Sequence, residues 1–377
     1  MSLSLNCQSI LLKRYQSWIL LIGSFIFCLA RILLVKAIAA PENFNPELTL
    51  PPPPPPEPEP APVLKPSSED TAQPQKSTEP FLTLESITPN LNLDSDNFGQ
   101  QNIVGETTTL LRLRNDDLVR IHNGFNSFAQ EEIPTITNIP LYFGWSRERK
   151  TYKLTIDGGV DIFNRLPATP YLATQIEMPI FSKVSDEGTL QSLLVFSGAI
   201  EHQVYKFNAK TLDHKINFWR FRPSFYWQIA PNFSLFTLGQ LGYFNDGNQE
   251  FQSFSRLEKK IGEFAIAVNV FTWSFQQDLG ETNGYFAPPN FLVYNAEISW
   301  EKEIFSFLRC KVSGAIGRQR LRDATDNAYT YQALCVTQIS DNLALDLGYT
   351  FSNVRDRNTG ETSYLNQSFD SQLRWNF

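Results

Sequence analysis

From about residue 117 to the end of the chain, apolar and polar residues alternate with period two, in segments of about ten to fifteen residues. In 152–162 one face carries Tyr152, Leu154, Ile156, Gly158, Val160 and Ile162, while the other carries Lys153, Thr155, Asp157, Gly159 and Asp161. In 342–352 the faces are Leu343, Leu345, Leu347, Tyr349, Phe351 against Ala344, Asp346, Gly348, Thr350, Ser352. Segments 172–180 and 292–300 repeat the pattern. No apolar run in this region reaches the length of about 18 residues that a membrane-crossing helix needs. Strands that are apolar on one side and polar on the other must hide the apolar side in a core or turn it to lipid.

Segment 216–229 favours lipid. Trp219, Phe221, Pro223, Phe225, Trp227 and Ile229 share one face; Arg220, Arg222, Ser224, Tyr226 and Gln228 share the other. Trp219 and Trp227 stand roughly 26 Å apart along a strand, which at a tilt of about 40° projects to roughly 20 Å along a membrane normal. That approximates the spacing of the two aromatic girdles around an apolar band of about 25 Å. Aromatics make up 13% of the chain and phenylalanine alone supplies 30 residues, enough to furnish such girdles.

The alternation divides into strands at 117–128, 138–148, 150–162, 170–182, 190–206, 213–229, 231–245, 250–260, 261–276, 290–302, 304–321, 327–339, 341–354 and 363–377. Links near Arg149, Ala230, Glu303 and Ser340 are tight, and 185–188 is a polar turn. Those after 128, 162, 206 and 321, and at 355–362, read as longer and polar. Short turns alternating with long loops imply an antiparallel transmembrane β-barrel, all-β, of about fourteen strands with about 12 to 16 as the range. The 260/261 boundary strains the alternation, so one strand in 231–276 is expected to be miscounted or merged.

The chain closes with Phe369, Leu373, Trp375 and Phe377 pointing one way and Asp370, Gln372, Arg374 and Asn376 the other. This ending resembles the assembly signal of bacterial outer-membrane barrels, and the resemblance extends over about 106–377. It implies a porin-like protein of the outer membrane, with outer-membrane lipid and the barrel-assembly machinery as partners. A proline-rich export segment joined to a barrel also resembles cyanobacterial envelope proteins.

The N-terminus reads as that export signal. Lys13 and Arg14 precede an apolar run over 17–30, and Ala37-Ile38-Ala39 supplies a cleavage pattern before Pro41, giving a signal peptide over 1–40. A retained inner-membrane anchor is the alternative. Residues 41–80 hold 14 of the 24 prolines, with Pro51 to Pro56 unbroken. Polyproline II and acidic charge keep 41–105 from building a core, so it is expected to be a disordered periplasmic spacer. It is either a passive linker or a tether to peptidoglycan.

Formal charge is +4 over 1–40 and −8 over 41–105, leaving −3 of the total −7 for 106–377. Without a basic stripe, nucleic-acid binding is excluded. Of four cysteines, Cys310 and Cys335 would remain after export, mirrored about a loop near 322 and expected as lipid-facing cross-strand neighbours. His122, His202 and His214 have no partner pattern of a hydrolase, and the acidic loops at 246–248 and 323–327 read as ordinary turns. No catalytic residue, metal ligand or cofactor is expected.

The candidate site is therefore the lumen lining: Lys153, Asp157, Asp161, Glu177, Arg220, Arg222, Glu297, Arg309, Lys311, Asp346, Asp370 and Arg374. Trp219, Trp227, Trp300 and Trp375 are the candidate girdle. Mixed inward charge points to a channel for small polar solutes, with Arg220 and Arg222 bearing on permeation rather than folding. A structural or adhesion protein with a packed lumen is the alternative reading; an outer-membrane lipid hydrolase is a third.

Overall fold

The computed structural model of the chain describes residues 80–96, 99–185, 189–354 and 364–377. The expected signal peptide, the proline-rich stretch up to residue 79 and the 355–362 link lie outside them. Among the described residues sixteen antiparallel strands, each paired with its neighbours in sequence, close into one barrel where the last meets the first. They are β1 (Leu82–Asp96), β2 (Gln101–Leu113), β3 (Leu118–Gln130), β4 (Ile133–Arg149), β5 (Tyr152–Phe163), β6 (Thr169–Val184), β7 (Leu190–Val204) and β8 (Asn217–Ala230). The second half is β9 (Phe233–Phe244), β10 (Gln249–Ile261), β11 (Phe264–Phe275), β12 (Phe291–Phe305), β13 (Leu308–Leu321), β14 (Ala324–Ser340), β15 (Leu343–Val354) and β16 (Tyr364–Asn376). Helices α1 (Ala209–Asp213) and α2 (Gly280–Asn283) lie in the β7–β8 and β11–β12 links.

The count exceeds fourteen because β1 and β2 occupy residues 82–113, most of which the acidic spacer was expected to claim. Their alternation is hard to see for physical reasons. A bulge between Leu84 and Ser86 flips the outward parity, so Leu82 and Leu84 are followed by Ile87, Leu91 and Leu93. Pro89 interrupts the run, and it falls where the ladder to β16 skips from Ile87 to Asn90. In β2 the outward positions between Ile103 and Leu111 are Gly105, Thr107 and Thr109. No strand is merged in 231–276: β9, β10 and β11 are separate.

Links at the end where β1 begins and β16 ends, the terminus end of the wall, are all short. At the other end the links at 131–132 and 322–323, expected to be long, are two-residue turns. Glu132 and Arg322 close them in the left-handed region, at φ 66° and 55°, so no glycine or asparagine marks them in the sequence. Among the described residues the long links are 205–216 and 276–290, both at that end.

The outward faces are the apolar ones. Phe143, Val268, Ile298 and Ile316 are more than half exposed, and Trp219, Phe221, Phe225 and Trp227 stand together on the outer face of β8. A β-sandwich would bury these positions; a lipid-facing barrel exposes them. Arg in place of an outward residue at mid-membrane costs about 2–4 kcal/mol. Phe225→Arg should therefore lower the yield of folded, heat-modifiable protein in membranes; normal assembly would mean this face does not meet lipid.

Cys310 and Cys335 face each other across β13 and β14 on the outer side and form a disulfide, with Cα atoms 4.1 Å apart. That separation suits directly opposed residues of a narrow antiparallel pair. The cross-strand placement expected from the sequence is the one observed. Alkylation of the denatured, unreduced protein should leave both unmodified, and alkylation after reduction should modify both.

At the terminus end, Asp117 fastens the β2–β3 link to β4. It accepts from Arg147 at 2.7 Å and from the Trp145 indole at 3.1 Å. The Arg147 guanidinium holds its carboxyl down at about 2. A carboxyl lowered on folding stabilises above its ordinary value near 4 and loses that contribution as pH falls through about 2, so this clamp persists in mild acid.

Candidate functional site

The two long links turn inward and cross the mouth of the barrel. From 205–216, Tyr205, Phe207, Ala209, Leu212 and Ile216 are buried; from 276–290, Tyr285, Phe286 and Ala287 are. Tyr205, Phe207, Ile216 and the three from 276–290 pack on inward aromatics of the wall, Phe218, Phe244, Phe271, Trp273, Phe275 and Phe291, while Ala209 and Leu212 pack with Phe128, Ile136 and Phe163. Phe244 stacks on Tyr285 at 5.4 Å. Asn208 caps α1 by accepting from the Thr211 N–H at 2.8 Å, and its amide donates to the Gly284 carbonyl at 2.7 Å, joining the two links.

Polar anchors fix this plug to the wall. Lys206 reaches Asp161 and the Tyr142 hydroxyl, both at 2.8 Å, and Tyr142 donates to Asp161 at 2.7 Å. The Lys210 N–H donates to the Gln130 side chain at 3.2 Å, so the segment entering from β7 reaches β3 and β5. On the other side the Tyr285 hydroxyl donates to Asp246 at 2.7 Å and accepts from Asn248 at 2.9 Å. Burial, reinforced by that bond to Asp246, raises the Tyr285 phenol well above its usual range.

Beneath the plug lies a cavity of about 520 Å³. Phe254, Phe271, Trp273 and Phe291 form an apolar wall, and Gln175, Gln240, Gln252, Asn269, Asn295 and Gln319 supply amides. Its charges are paired: Arg220 with Glu250 at 2.9 Å, and Arg222 with Glu201 at 2.7 Å. Gly242 makes the first pair possible, because a Cβ there would fall 2.6 Å from Glu250 Oε2.

The twelve candidate lining residues spread around the interior rather than forming a constriction. Asp157 pairs with Arg120, Asp161 with Lys206, and Glu297 with Arg256, which also holds Glu258. Arg374 pairs with Asp346 at 2.9 Å, and Asp370 accepts from Asn92. Lys153 lies opposite Glu177 in the register and 3.9 Å from Glu148. Arg309 is exposed and Lys311 half-buried near the terminus end, on the same parity of β13 as the buried Ala315 and Gln319. Of the candidate girdle, Trp219, Trp227 and Trp375 are exposed on the outside, and the Trp300 indole donates to Glu263 at 3.2 Å in the turn below. Phe369, Leu373 and Trp375 line up on β16 opposite Leu93, Leu345 and Leu343, and the Phe377 N–H donates to the Glu85 carbonyl.

Sequence reasoning missed the partners: Glu106, Arg120, Glu201, Glu250, Arg256 and Glu258. Each sits at an inward parity position, but pairing across strands is set by register, which the alternation alone does not give. His122 also acquires neighbours, Thr108 Oγ1 at 3.1 Å and Glu106 at 3.0 Å. These three recur in the order of a hydroxyl, base and acid. They lie mid-strand, where the ladders of β2 and β3 occupy the surrounding backbone N–H groups.

No protein-family model and no curated protein matches the sequence. The fold is that of outer-membrane β-barrels. A solved structure described as a bacterial polysaccharide outer membrane secretin superposes with a TM-score of 0.62 at 10% identity, covering 78% of this chain and 98% of that one. OccK7 (OpdD) of Pseudomonas aeruginosa gives 0.40 at 8% identity, over 78% of this chain and 98% of that one. At such identities the likeness concerns the fold alone.

Proposed function

We propose that this protein is a channel of the bacterial outer membrane that passes small polar solutes when its inward-folded loops are displaced. The observation that carries the reading is the polar cavity inside a sixteen-strand wall. Barrels of this size leave an aqueous lumen unless something fills it, and among the described residues the links that fold inward cross one mouth. The apolar exterior with tryptophans toward both ends supports insertion in a membrane. Short turns on the terminus side support a periplasmic position for that end, and the proline-rich sequence before β1 would act there as a tether to peptidoglycan. The alternating residues of β16 are the segment that the barrel-assembly machinery would read.

A structural role with a packed lumen is favoured by the plug and opposed by the cavity. Solute flux separates the two. Liposomes carrying the purified protein should swell slowly in small polar solutes, and faster when 277–289 is replaced by a short glycine-serine turn. A correctly folded, loop-shortened barrel that passes no more than bare lipid would overturn the channel reading.

A further inference from the structure

We infer that the cavity beneath the plug is a binding site for a neutral sugar of one or two rings, a reading that rests on the channel proposal and specifies its solute. Gln240 is only 6% exposed and lines the cavity, yet its side-chain amide bonds to no other described residue. Gln252, half-buried, and Gln175, which is exposed, line the same cavity with side-chain amides that bond to no described residue. The Asn295 side-chain oxygen accepts from Asn269 Nδ2 at 2.8 Å, and Asn295 Nδ2 has no described acceptor. These amides open onto the cavity, where water or a ligand supplies their bonds.

The pattern of donors selects the ligand. Each amide offers an N–H₂ donor and a carbonyl acceptor in one plane, which matches a hydroxyl group that both gives and takes a proton. Ser224, Thr330 and Ser352 add hydroxyls of the same dual character. Ions are disfavoured because Arg220, Arg222 and Glu250 are already neutralised in pairs. Opposite the amides, Phe254, Phe271 and Phe291 present rings to the cavity. The C–H faces of a pyranose suit such rings, whereas a linear polyol or an amino acid would leave them wet. About 520 Å³ accommodates one or two sugar rings with some water.

Trp273, in the same wall, makes occupancy visible by fluorescence. The full chain, purified in lauryldimethylamine oxide because that head group carries no sugar, would be titrated with maltose, and with gluconate and glucosamine as charged controls. Maltose should give a saturable change in fluorescence and heat, and the charged sugars should bind about tenfold more weakly or worse. Gln240→Leu with Gln252→Leu should weaken maltose about tenfold, the worth of one or two hydrogen bonds, without altering heat-modifiability. If that pair fails to fold, the wild-type panel alone decides. Maltose binding no better than the charged sugars, or not at all, overturns the inference. Swelling assays on the same preparation keep it separate from the channel reading. Flux without sugar binding sinks only the sugar, and sugar binding without flux in the loop-shortened barrel sinks only the channel.

Discussion

Arg220→Ser should destabilise the barrel by roughly 3–5 kcal/mol, whereas Arg222→Ser two residues along the same face should cost about 1 kcal/mol or less. The side chain of Arg220 is 8% exposed and that of its partner Glu250 is 1% exposed. Glu250 also accepts from the Trp273 indole at 2.8 Å. The guanidinium lies over the rings of Phe218 and Tyr205, 4.0 and 4.8 Å from their centroids. Serine would abandon a buried carboxylate among aromatics and loosen the base of the plug. The Arg222 side chain keeps 38% of its surface exposed, so water replaces what its pair with Glu201 loses. Urea unfolding in micelles, followed by tryptophan fluorescence, measures both. Equal stability of the two variants would mean that the Arg220–Glu250 pair is not buried as described. Adding Glu250→Gln to Arg220→Ser should recover part of the loss, since a neutral amide is cheaper to leave among aromatics than a charge. The sequence alone leads one to expect both arginines to bear on permeation rather than folding; the buried pair with Glu250 leads us to expect an effect of Arg220 on folding as well.

What the alternation can reveal and what it cannot follow from the same geometry. In β8, Trp219 and Phe221 point outward and Arg220 inward because side chains alternate across a strand, so faces are legible residue by residue. Whether an inward residue is wet or buried is not. That depends on what crosses the lumen, and 205–216 and 276–290 look like polar surface loops when read alone. Tyr205, Phe207, Tyr285 and Phe286 are the signal that was available: aromatics in links rather than strands have to be covered by something. The ion pairs were hidden for a different reason. Arg256 and Glu297 are 41 residues apart, and only the register of β10, β11 and β12 brings them together. In β1 a one-residue bulge was enough to erase the pattern, since a single insertion moves every later side chain to the opposite face.

Replacing 277–289 by a short glycine-serine turn should convert a nearly silent protein into one of large, steady conductance in planar bilayers. The magnitude follows from what holds the plug. Four aromatic side chains, Tyr205, Phe207, Tyr285 and Phe286, are each at most 1% exposed. At about 150–250 Å² apiece and about 25 cal/mol per Å², expelling all four into water would cost roughly 15–25 kcal/mol as an upper bound. Such a plug does not leave as a unit by thermal motion, so wild-type openings should be rare and partial. Removing 277–289 takes away Tyr285, Phe286 and the Gly284 carbonyl that anchors Asn208, and thereby exposes Phe244 and Trp273 at the mouth. The wall itself keeps its ladders from β11 to β12, so the barrel should still fold and remain heat-modifiable. Lys206→Met tests the opposite anchor with a smaller perturbation: Asp161 retains Asn138 and Tyr142 but loses the charge that ties 205–216 to β5. Brief openings should become more frequent in that variant while the unitary conductance stays below that of the deletion. A deletion variant as silent as the wild type would show that the lumen is closed elsewhere, and the plug would then be a structural cap rather than the barrier to permeation.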